Sequence, residues 1–385
     1  MIQSPFDNSH KNNLYNKIKI FLFTISGIAI IRFILFLFFG SLACLLFNIF
    51  LTGYSSKDAN GNFVNIGSIR RFLLFIPQIL SRIALFILGY YYISDNIPTS
   101  FKFNYLERPN APKLIIANHV SFIDTFYFIC RGIPSPVASY NVLSLPIIGL
   151  TFKKISPILV PTNEKQKLLL PDPKEQITER LTHPSIESFK RPLIIFPEGS
   201  TKNSKYLFKF QNGAFMNKIT YQPVLFNYQF EYLDPSWTLD TSDYVLLYLM
   251  CCQFYNKLEV TYLEPSNQSA TEIRKVFISN LNLIDSNYSN HDNNILKFNL
   301  DKKNYIINHI FENGLFTMNF YKKYTDTSSK DFNKLINIFY KLDIENIGKV
   351  KGRFLNDFAQ VLTNNNKLLS DKYYSFYEAI KNSIN

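Results

Sequence analysis

The sequence predicts an α/β domain that follows N-terminal membrane-anchoring helices and precedes a C-terminal helical module. The stretch Ile18 to Leu51 is almost wholly apolar, as a bilayer-embedded segment requires. From Phe101 onward, short apolar runs alternate with turns and polar helical segments, which is the pattern of mixed strands and helices. The last hundred residues show helical spacing of apolar side chains. We therefore divide the chain into residues 1–95, 96–285 and 286–385.

The first region contains three apolar segments. Phe33 to Leu51 carries no charge and is long enough to span a bilayer, so we expect a retained anchor rather than a cleaved signal. Ile20 to Ile31 is too short to span alone; it either lies in the interface or forms a shallow hairpin with Arg32 near the bend. Phe72 to Tyr92 contains a proline and an arginine, which favours an amphipathic helix on the membrane over a kinked span.

Composition leaves the partner class open. The chain has 385 residues with 37 Phe, 24 Tyr and a formal net charge of +12. Aromatic and basic surface suits an anionic leaflet, but an AT-rich genome produces the same bias. Scattered Lys and Arg without zinc-ligand spacing or an aromatic RNA-binding signature argue against nucleic acid. The cysteines lie in apolar contexts without paired spacing, which predicts core thiols rather than disulfides or metal ligands: Cys44, Cys130, Cys251 and Cys252.

Two predicted strands deliver polar residues to the same edge of the sheet. Leu114 to Ala117 is followed by Asn118 and His119, with Asp124 five positions after the histidine. An Asp at that spacing can accept from one imidazole nitrogen and leave the other as a general base. Leu193 to Phe196 is followed by Pro197-Glu198-Gly199-Ser200-Thr201. Catalytic residues of α/β enzymes lie at such strand ends.

These two segments resemble the glycerolipid acyltransferase family, whose hallmark motifs are N-H-x-x-x-x-D and F-P-E-G-[ST]. The order of the blocks is similar to the branch that acylates lysophosphatidylcholine and related lysophospholipids. The resemblance covers roughly residues 100 to 285. Its further blocks are Leu145-Pro146-Ile147-Ile148-Gly149, Val160, Phe210-Gln211-Asn212-Gly213-Ala214-Phe215, Gln222-Pro223-Val224-Leu225, Trp237-Thr238 and Cys252-Gln253-Phe254.

The resemblance implies a general-base mechanism. His119 would take the proton of the acceptor hydroxyl, and Asp124 would fix the ring tautomer. No G-x-S-x-G elbow occurs, so direct attack on the thioester is favoured over an acyl-enzyme. By resemblance, the floor under the polar head of the acceptor is formed by Glu198, Gly199, Ser200 and Thr201. Backbone amides near Gly199 would help to hold the oxyanion.

The chain departs from the family where an arginine usually contacts the acceptor phosphate, since Thr162 stands at that place. A hydroxyl does not replace a bidentate guanidinium, so the head group is in doubt. Nearby lysines either supply the charge or are solvated: Lys153, Lys154, Lys165 and Lys167. Gln211 also departs from the family, which often has a lysine in the F-x-x-G-A-F block. The phosphates of coenzyme A would then be met by Lys202, Lys205 and Lys209, unless these too are solvated surface charges.

The segment Asp343 to Val350 resembles an EF-hand loop, and related lysophospholipid acyltransferases carry such hands in the same place. Ile347 and Phe354 occupy two ligand positions, so we expect a degenerate hand that does not bind calcium. Such a module would pack on the α/β domain or dock a protein partner.

The sequence thus predicts a membrane-bound enzyme that transfers an acyl group from acyl-CoA, as co-substrate, to a lysophospholipid without metal or redox cofactor. We expect the endoplasmic reticulum, with the catalytic domain facing the cytosol. One alternative is acylation of lysophosphatidic acid or glycerol 3-phosphate. Another is a catalytically silent membrane scaffold.

Overall fold

The computed structural model describes residues 5–6, 8, 13–98, 112–162, 164–186, 189, 191–215, 219–238, 241–286, 288–290, 349–351 and 373–375. The helices α1 to α9 in this part of the chain are Leu14–Ile25, Ile28–Phe50, Ser68–Ile87, Phe122–Arg131, Ile148–Lys154, Glu164–Leu169, Pro173–Thr182, Asp243–Cys251 and Ala270–Leu281. The strands β1 to β11 are Ile93–Asn96, Leu114–Ala117, Ser135–Ser139, Ile158–Val160, Leu193–Ile195, Tyr206–Leu207, Gln222–Gln229, Lys257–Tyr262, Ile284–Asp285, Lys349–Lys351 and Tyr373–Ser375.

Seven strands form a mixed sheet in the order β1-β8-β7-β2-β5-β3-β4, which confirms the α/β architecture. Five neighbouring strands, β7, β2, β5, β3 and β4, are parallel to one another. Strand β8 runs antiparallel to β7, and β1 runs parallel to β8. The two strands predicted to carry the motifs, β2 and β5, are direct neighbours, with Leu114 opposite Leu193. Their carboxyl ends therefore meet at one edge of the sheet.

Both faces of β2 are covered, as its near-continuous apolar run requires. Ile115 and Ala117 point into a core that includes residues of α2, α3, α4 and α8. Leu114 and Ile116 point into a second core with α7 and α9. This alternation is the period of two of a strand buried on both sides. Strand β2 is thus packed between two layers of helices up to the end that carries the motif.

The apolar N-terminal region breaks at a different place from the one expected. The structure ends α1 at Ile25 and begins α2 at Ile28, and Gly27 makes the turn with φ of 75°, a left-handed conformation that favours glycine. Arg32, which the hairpin alternative placed near the bend, lies inside α2. Its guanidinium finds acceptors in the main chain, with Nε donating to Ile87 O at 2.7 Å and Nη1 to Cys251 O at 2.9 Å. Ile87 and Cys251 are the last residues of α3 and α8, whose carbonyls lack partners within their own helices. The guanidinium therefore finds hydrogen-bond acceptors while Arg32 remains part of α2.

Helix α2 contacts the α/β domain at both of its ends. Near its start, Arg32 is bound to the carbonyl of Gln253 as well, at 2.6 Å. Near its end, Asn48 Nδ2 donates to Thr151 Oγ1 of α5 at 2.8 Å. Among the described residues, α2 is the helix long and apolar enough to cross a bilayer, with a mean hydropathy of 2.5. Its length and composition confirm the expected apolar helix.

Helix α3 includes most of the predicted apolar segment Phe72 to Tyr92, although the helix itself runs from Ser68 to Ile87. Leu74, Ala84 and Leu85 are buried, and they face the layer that contains α2 and α4. The opposite side exposes large apolar side chains: Ile69, Phe72, Phe75, Ile76, Ile79 and Phe86. Pro77 lies within the helix.

A short segment before α1 packs on the α/β domain. The buried ring of Phe6 lies 5.5 Å from the ring of Phe208 and 4.9 Å from that of Tyr288. Pro5 O accepts the backbone N–H of Asn203 at 3.0 Å. The N-terminal segment is thus built into the same part of the domain as the chain that follows β5.

Most of the EF-hand-like loop, including Ile347 and Phe354, lies outside the described residues, although Lys349 and Val350 belong to β10. Most of the region 286–385 also lies outside them. Within that region, β10 pairs antiparallel with β11. Ser286 and Tyr288 are buried against the α/β domain. The packed part of this domain therefore extends a few residues beyond the boundary that we expected after residue 285.

Candidate active site

The loop after β2 is fixed to the neighbouring strand by Asn118. Its side chain makes two hydrogen bonds to the main chain of β7, accepting Phe226 N–H at 2.8 Å and donating to Phe226 O at 3.0 Å. The residue is almost fully buried. Satisfying both backbone groups of Phe226 in the interior favours a single loop conformation. His119, the next residue, therefore leaves the sheet edge in a defined direction.

His119 and Asp124 are brought together as the spacing suggested. Nδ1 of the histidine lies 2.9 Å from Oδ2 of the carboxylate. The His119 ring also stacks on Phe196, with centroids 4.1 Å apart and planes 15° apart. Its side chain keeps 19% of its surface exposed, whereas Asp124 has none. The imidazole is thus held at one nitrogen and on one face, and Nε2 is the ring atom left for a ligand.

Asp124 is held by the start of α4. It is the third residue of that helix, and its Oδ2 accepts the backbone N–H groups of Val120 at 2.7 Å and Ser121 at 3.0 Å. This is the reach-back geometry of a capping box, so the helix start itself orients the carboxylate. The positive end of the helix dipole also favours a negative charge there.

The other carboxylate oxygen is used by a residue that the sequence did not single out. Tyr228 Oη of β7 donates to Asp124 Oδ1. Burial, aided by the Asp124 charge, raises the pKa of Tyr228 well above its ordinary value of 10. Tyr228 therefore stays a protonated donor. No sequence signal marks it, since 104 residues separate the two partners.

Glu198 and Lys202 form a buried ion pair behind His119. Lys202 Nζ lies 2.7 Å from Glu198 Oε2, and the side chains are 1% and 0% exposed. Glu198 Oε1 accepts His119 N–H at 3.0 Å, and Lys202 Nζ donates to His119 O at 3.3 Å. The other oxygen, Oε2, accepts Phe208 N–H at 2.9 Å. The pair thus holds both main-chain groups of the histidine.

This arrangement corrects one reading of the sequence. Lys202 was one of three lysines expected either to meet coenzyme A phosphates or to be solvated, and its burial in the ion pair rules out both. Lys205 and Lys209 are exposed. The pairing could have been suspected from the i, i+4 separation of Glu198 and Lys202, although the segment is not helical.

The residues after Glu198 form a tight turn. Gly199 has φ of 74°, and a Cβ at this place would lie 3.2 Å from the side chain of Asn290. Its own N–H donates to Phe196 O at 3.0 Å, so that amide is already used within the turn. Ser200 Oγ is buried and has no hydrogen-bond partner among the described residues. Thr201 is partly exposed.

Thr162 lies elsewhere on the sheet edge. It follows β4, which is separated from β5 by β3. Its Oγ1 donates to Gln166 Oε1 at 2.9 Å and lies 3.2 Å from Asn141 Oδ1. The partners are neutral, so the place of the usual arginine carries no charge of its own. Of the nearby lysines, Lys154 is partly buried and three are exposed: Lys153, Lys165 and Lys167.

The cysteines are free thiols, as expected. Burial raises the pKa of Cys130 and of Cys251 to about 12, and that of Cys252 to about 11. These thiols therefore stay protonated at neutral pH and are poor nucleophiles. Within the described part of the chain, no group of three His, Cys, Asp or Glu side chains is placed to hold a metal ion.

Comparison with known proteins gives a consistent result. Residues 91–227 match the family model described as Acyltransferase. The chain is 31% identical to lysophospholipid acyltransferase LPEAT1 of Arabidopsis thaliana, over 54% of this chain and 58% of that protein. It is 27% identical to LPEAT2 of the same plant, over 98% of this chain and 67% of that protein. It is 31% identical to the lysophosphatidylcholine acyltransferase of Drosophila melanogaster, over 47% of this chain and 35% of that protein.

The chain therefore spans little more than half of the first of these relatives and about a third of the last. Among solved structures, it is similar to the 1-acyl-sn-glycerophosphate acyltransferase PlsC of Thermotoga maritima. That match has 13% sequence identity and a TM-score of 0.39, and it covers 70% of this chain and 92% of that one.

Proposed function

The chain belongs to the glycerolipid acyltransferase family, and from that premise we propose that it transfers a fatty acyl group from acyl-CoA to the free hydroxyl of a lysophospholipid. The names of its relatives support the acceptor class. One observation carries the assignment to this chain: the 2.9 Å contact between His119 Nδ1 and the fully buried Asp124 carboxylate, on a side chain that is 19% exposed, which leaves Nε2 as the ring nitrogen not used by that contact.

In the proposed reaction, the acceptor hydroxyl attacks the thioester carbonyl directly. His119 Nε2 takes the hydroxyl proton as the new C–O bond forms, and it returns the proton to the coenzyme A sulfur as the C–S bond breaks. The enzyme thus ends in its starting protonation state without an acyl-enzyme. Asp124 accepts from Nδ1–H, which keeps the lone pair on Nε2 and stabilises the imidazolium that forms. Proton transfer of this kind contributes about two to four orders of magnitude in rate.

We assign the residues after β5 two different roles. Glu198 acts as a positioning residue, because its oxygens are occupied by protein N–H groups and by Lys202. Gly199, Ser200 and Thr201 border the acceptor, where the buried Ser200 hydroxyl is available as a hydrogen-bond donor. A neutral Thr162 favours a phosphodiester head group over a terminal phosphate. The exposed Lys205 and Lys209 are the candidates for the coenzyme A phosphates.

The enzyme is proposed to act on a membrane, through the apolar surface of α1, α2 and α3. The endoplasmic reticulum, with the catalytic domain on the cytosolic side, is the compartment that matches an acyl-CoA donor. The C-terminal region is proposed to dock a protein partner rather than calcium.

The deciding experiment measures labelled acyl transfer by the purified full-length chain. It uses a panel of lysophospholipids, lysophosphatidic acid and glycerol 3-phosphate as acceptors. We expect transfer to lysophospholipids, with kcat lowered by about two to four orders of magnitude in His119→Ala and by less in Asp124→Asn, which keeps the base. A folded wild type without activity on any acceptor would favour the silent scaffold. Near-normal activity of His119→Ala would exclude the mechanism.

A further inference from the structure

We propose that a groove at the β1 edge of the sheet binds the zwitterionic head group of a bilayer phospholipid. This edge groove is a cavity of about 570 Å³ between the start of β1, the start of β8 and the end of β7. Its lining includes three tyrosines and two opposite charges: Tyr91, Tyr92, Tyr255, Lys257 and Glu259. The acyl-transfer mechanism uses none of these residues.

The two charges of the edge groove are both available to a ligand. Lys257 and Glu259 are two residues apart on β8, so they point to the same side of the strand, roughly 6.6 Å apart along it. Neither forms an ion pair within the described part of the chain. Among the described residues, the partners of Glu259 are neutral side-chain amides, with Asn96 Nδ2 at 2.5 Å, Asn227 Nδ2 at 3.3 Å and Gln229 Nε2 at 3.4 Å. Amides orient the carboxylate but do not neutralise it, so it retains a full negative charge for a cation.

From the apolar helices into the edge groove, the surface changes from apolar side chains to tyrosines and then to charged side chains. Tyr91 packs against the exposed Phe86 of α3, with ring centroids 4.8 Å apart. Tyr255 follows the exposed Phe254, whose ring packs on Phe23 of α1 at 5.0 Å. Amphipathic tyrosine rings next to apolar surface are characteristic of the membrane interface. The apolar surface thus gives way to tyrosines before the charged part of the groove.

Beyond the tyrosines, the positive charge comes before the negative one. Lys257 Nζ lies 5.3 Å from the centre of the Tyr255 ring, and Glu259 is further along the strand. A zwitterionic phospholipid has the same order, with acyl chains first, then the phosphate, then an ammonium group after a short bridge. The Glu259 carboxylate, beyond Lys257 on the strand, is a suitable partner for that ammonium group. An anionic head group has nothing to match Glu259.

The position of the edge groove favours a bilayer lipid over the acceptor. Neighbouring residues of a strand point to opposite faces of the sheet. Tyr228 is buried and reaches Asp124, whereas the next residue, Gln229, is exposed and lines the groove. Lys257 is opposite Gln229 in the sheet, so Lys257 and Glu259 point away from the face on which Tyr228 reaches Asp124. Binding there does not depend on the proposed acyl transfer.

The test is native mass spectrometry of the full-length chain in detergent. The protein is equilibrated with equal amounts of phosphatidylcholine and phosphatidylglycerol that carry the same acyl chains. We expect phosphatidylcholine to be retained in excess. Glu259→Gln and Lys257→Met should each reduce that excess by about threefold or more, the effect of losing one partly exposed charge contact. The matched controls, Lys174→Met and Glu175→Gln, change exposed charges on α7 and should leave retention unaltered.

Equal retention of the two lipids by the wild type would overturn the proposal. It would also be overturned if both groove variants had the melting temperature of the wild type and retained the two lipids in the wild-type ratio. A third result would reassign the groove: a raised KM for the lysophospholipid in Glu259→Gln, with kcat and phosphatidylcholine retention unaltered. That result would identify the acceptor as the occupant and exclude the bilayer lipid. A loss of activity in His119→Ala has no bearing on this outcome.

Discussion

Four backbone and side-chain donors converge on Asp124, and the tyrosine among them offers a sharp test of how the carboxylate is oriented. Tyr228→Phe removes one hydroxyl and leaves the ring. Because a hydrogen bond to a charged group contributes about 1.5–3 kcal/mol, we expect a lower kcat with an unchanged KM, since the buried hydroxyl does not touch substrate. Steady-state kinetics on a lysophospholipid will measure both.

Tyr90 supplies the matched control for that variant. It is fully buried too, and its hydroxyl has no partner among the described residues. Tyr90→Phe should therefore leave kcat unaltered. Equal effects of the two substitutions would mean that the loss reflects core packing rather than the orientation of Asp124.

The buried pair behind His119 predicts a stability effect. Lys202→Met leaves the Glu198 carboxylate buried without its cation, which typically costs 3–5 kcal/mol, so we expect a marked loss of stability. The double variant Glu198→Gln/Lys202→Met should recover most of it, because no buried charge then remains. Denaturation of the detergent-solubilised protein will measure both. A single variant as stable as the wild type would show that the pair does not hold the loop.

Thr162 predicts the choice of acceptor. If no other residue grips a terminal phosphate, Thr162→Arg should raise kcat/KM for lysophosphatidic acid relative to lysophosphatidylcholine. Thr162→Ala, which removes the hydroxyl without adding charge, is the control and should not change that ratio. A wild type that already prefers lysophosphatidic acid by about tenfold, or 1.4 kcal/mol, would mean that the phosphate is held elsewhere.

At the scale of elements, the contacts of α2 limit how the chain meets the membrane. Arg32 and Asn48, which bind the α/β domain, are separated along the helix by about 24 Å at 1.5 Å per residue. A helix fixed to the same domain at both ends lies along that domain. We therefore expect α2 to be embedded in one leaflet, with the loop Thr52 to Ser68 on the same side as the active site.

A new glycosylation sequon tests this arrangement. Val64→Thr creates an acceptor at Asn62, and with the active site in the cytosol it should stay bare in microsomes, as should the natural sequons at Asn267 and Asn287. Protease added to sealed microsomes should cut between residues 52 and 68. Val64→Ala, which creates no sequon, is the control. Sugar on Asn62 alone would show that α2 spans the bilayer, and sugar on Asn267 would place the catalytic domain in the lumen.

At the scale of the whole molecule, local patterns were predictable and long-range contacts were not. The strands β2 and β5 follow from apolar runs that are buried on both faces, and the pairing of His119 with Asp124 follows from a five-residue spacing at a helix start. Tyr228 could not be foreseen, because its role depends on how β7 is placed beside β2. The turn between α1 and α2 at Gly27 was not predicted, because a hydropathy pattern is interrupted by the charge of Arg32 and takes no account of the backbone freedom of glycine.

The position of Phe6 has a consequence for how the protein is made. This residue leaves the ribosome long before Phe208 and Tyr288, the two rings that bury it. Nearly three hundred residues must be translated before its binding place exists. Phe208 is also the residue whose N–H holds Glu198. The segment around Phe6 therefore completes the packing beside the catalytic loop only after the last part of the α/β domain has been made, so we expect folding of this region to finish late in synthesis.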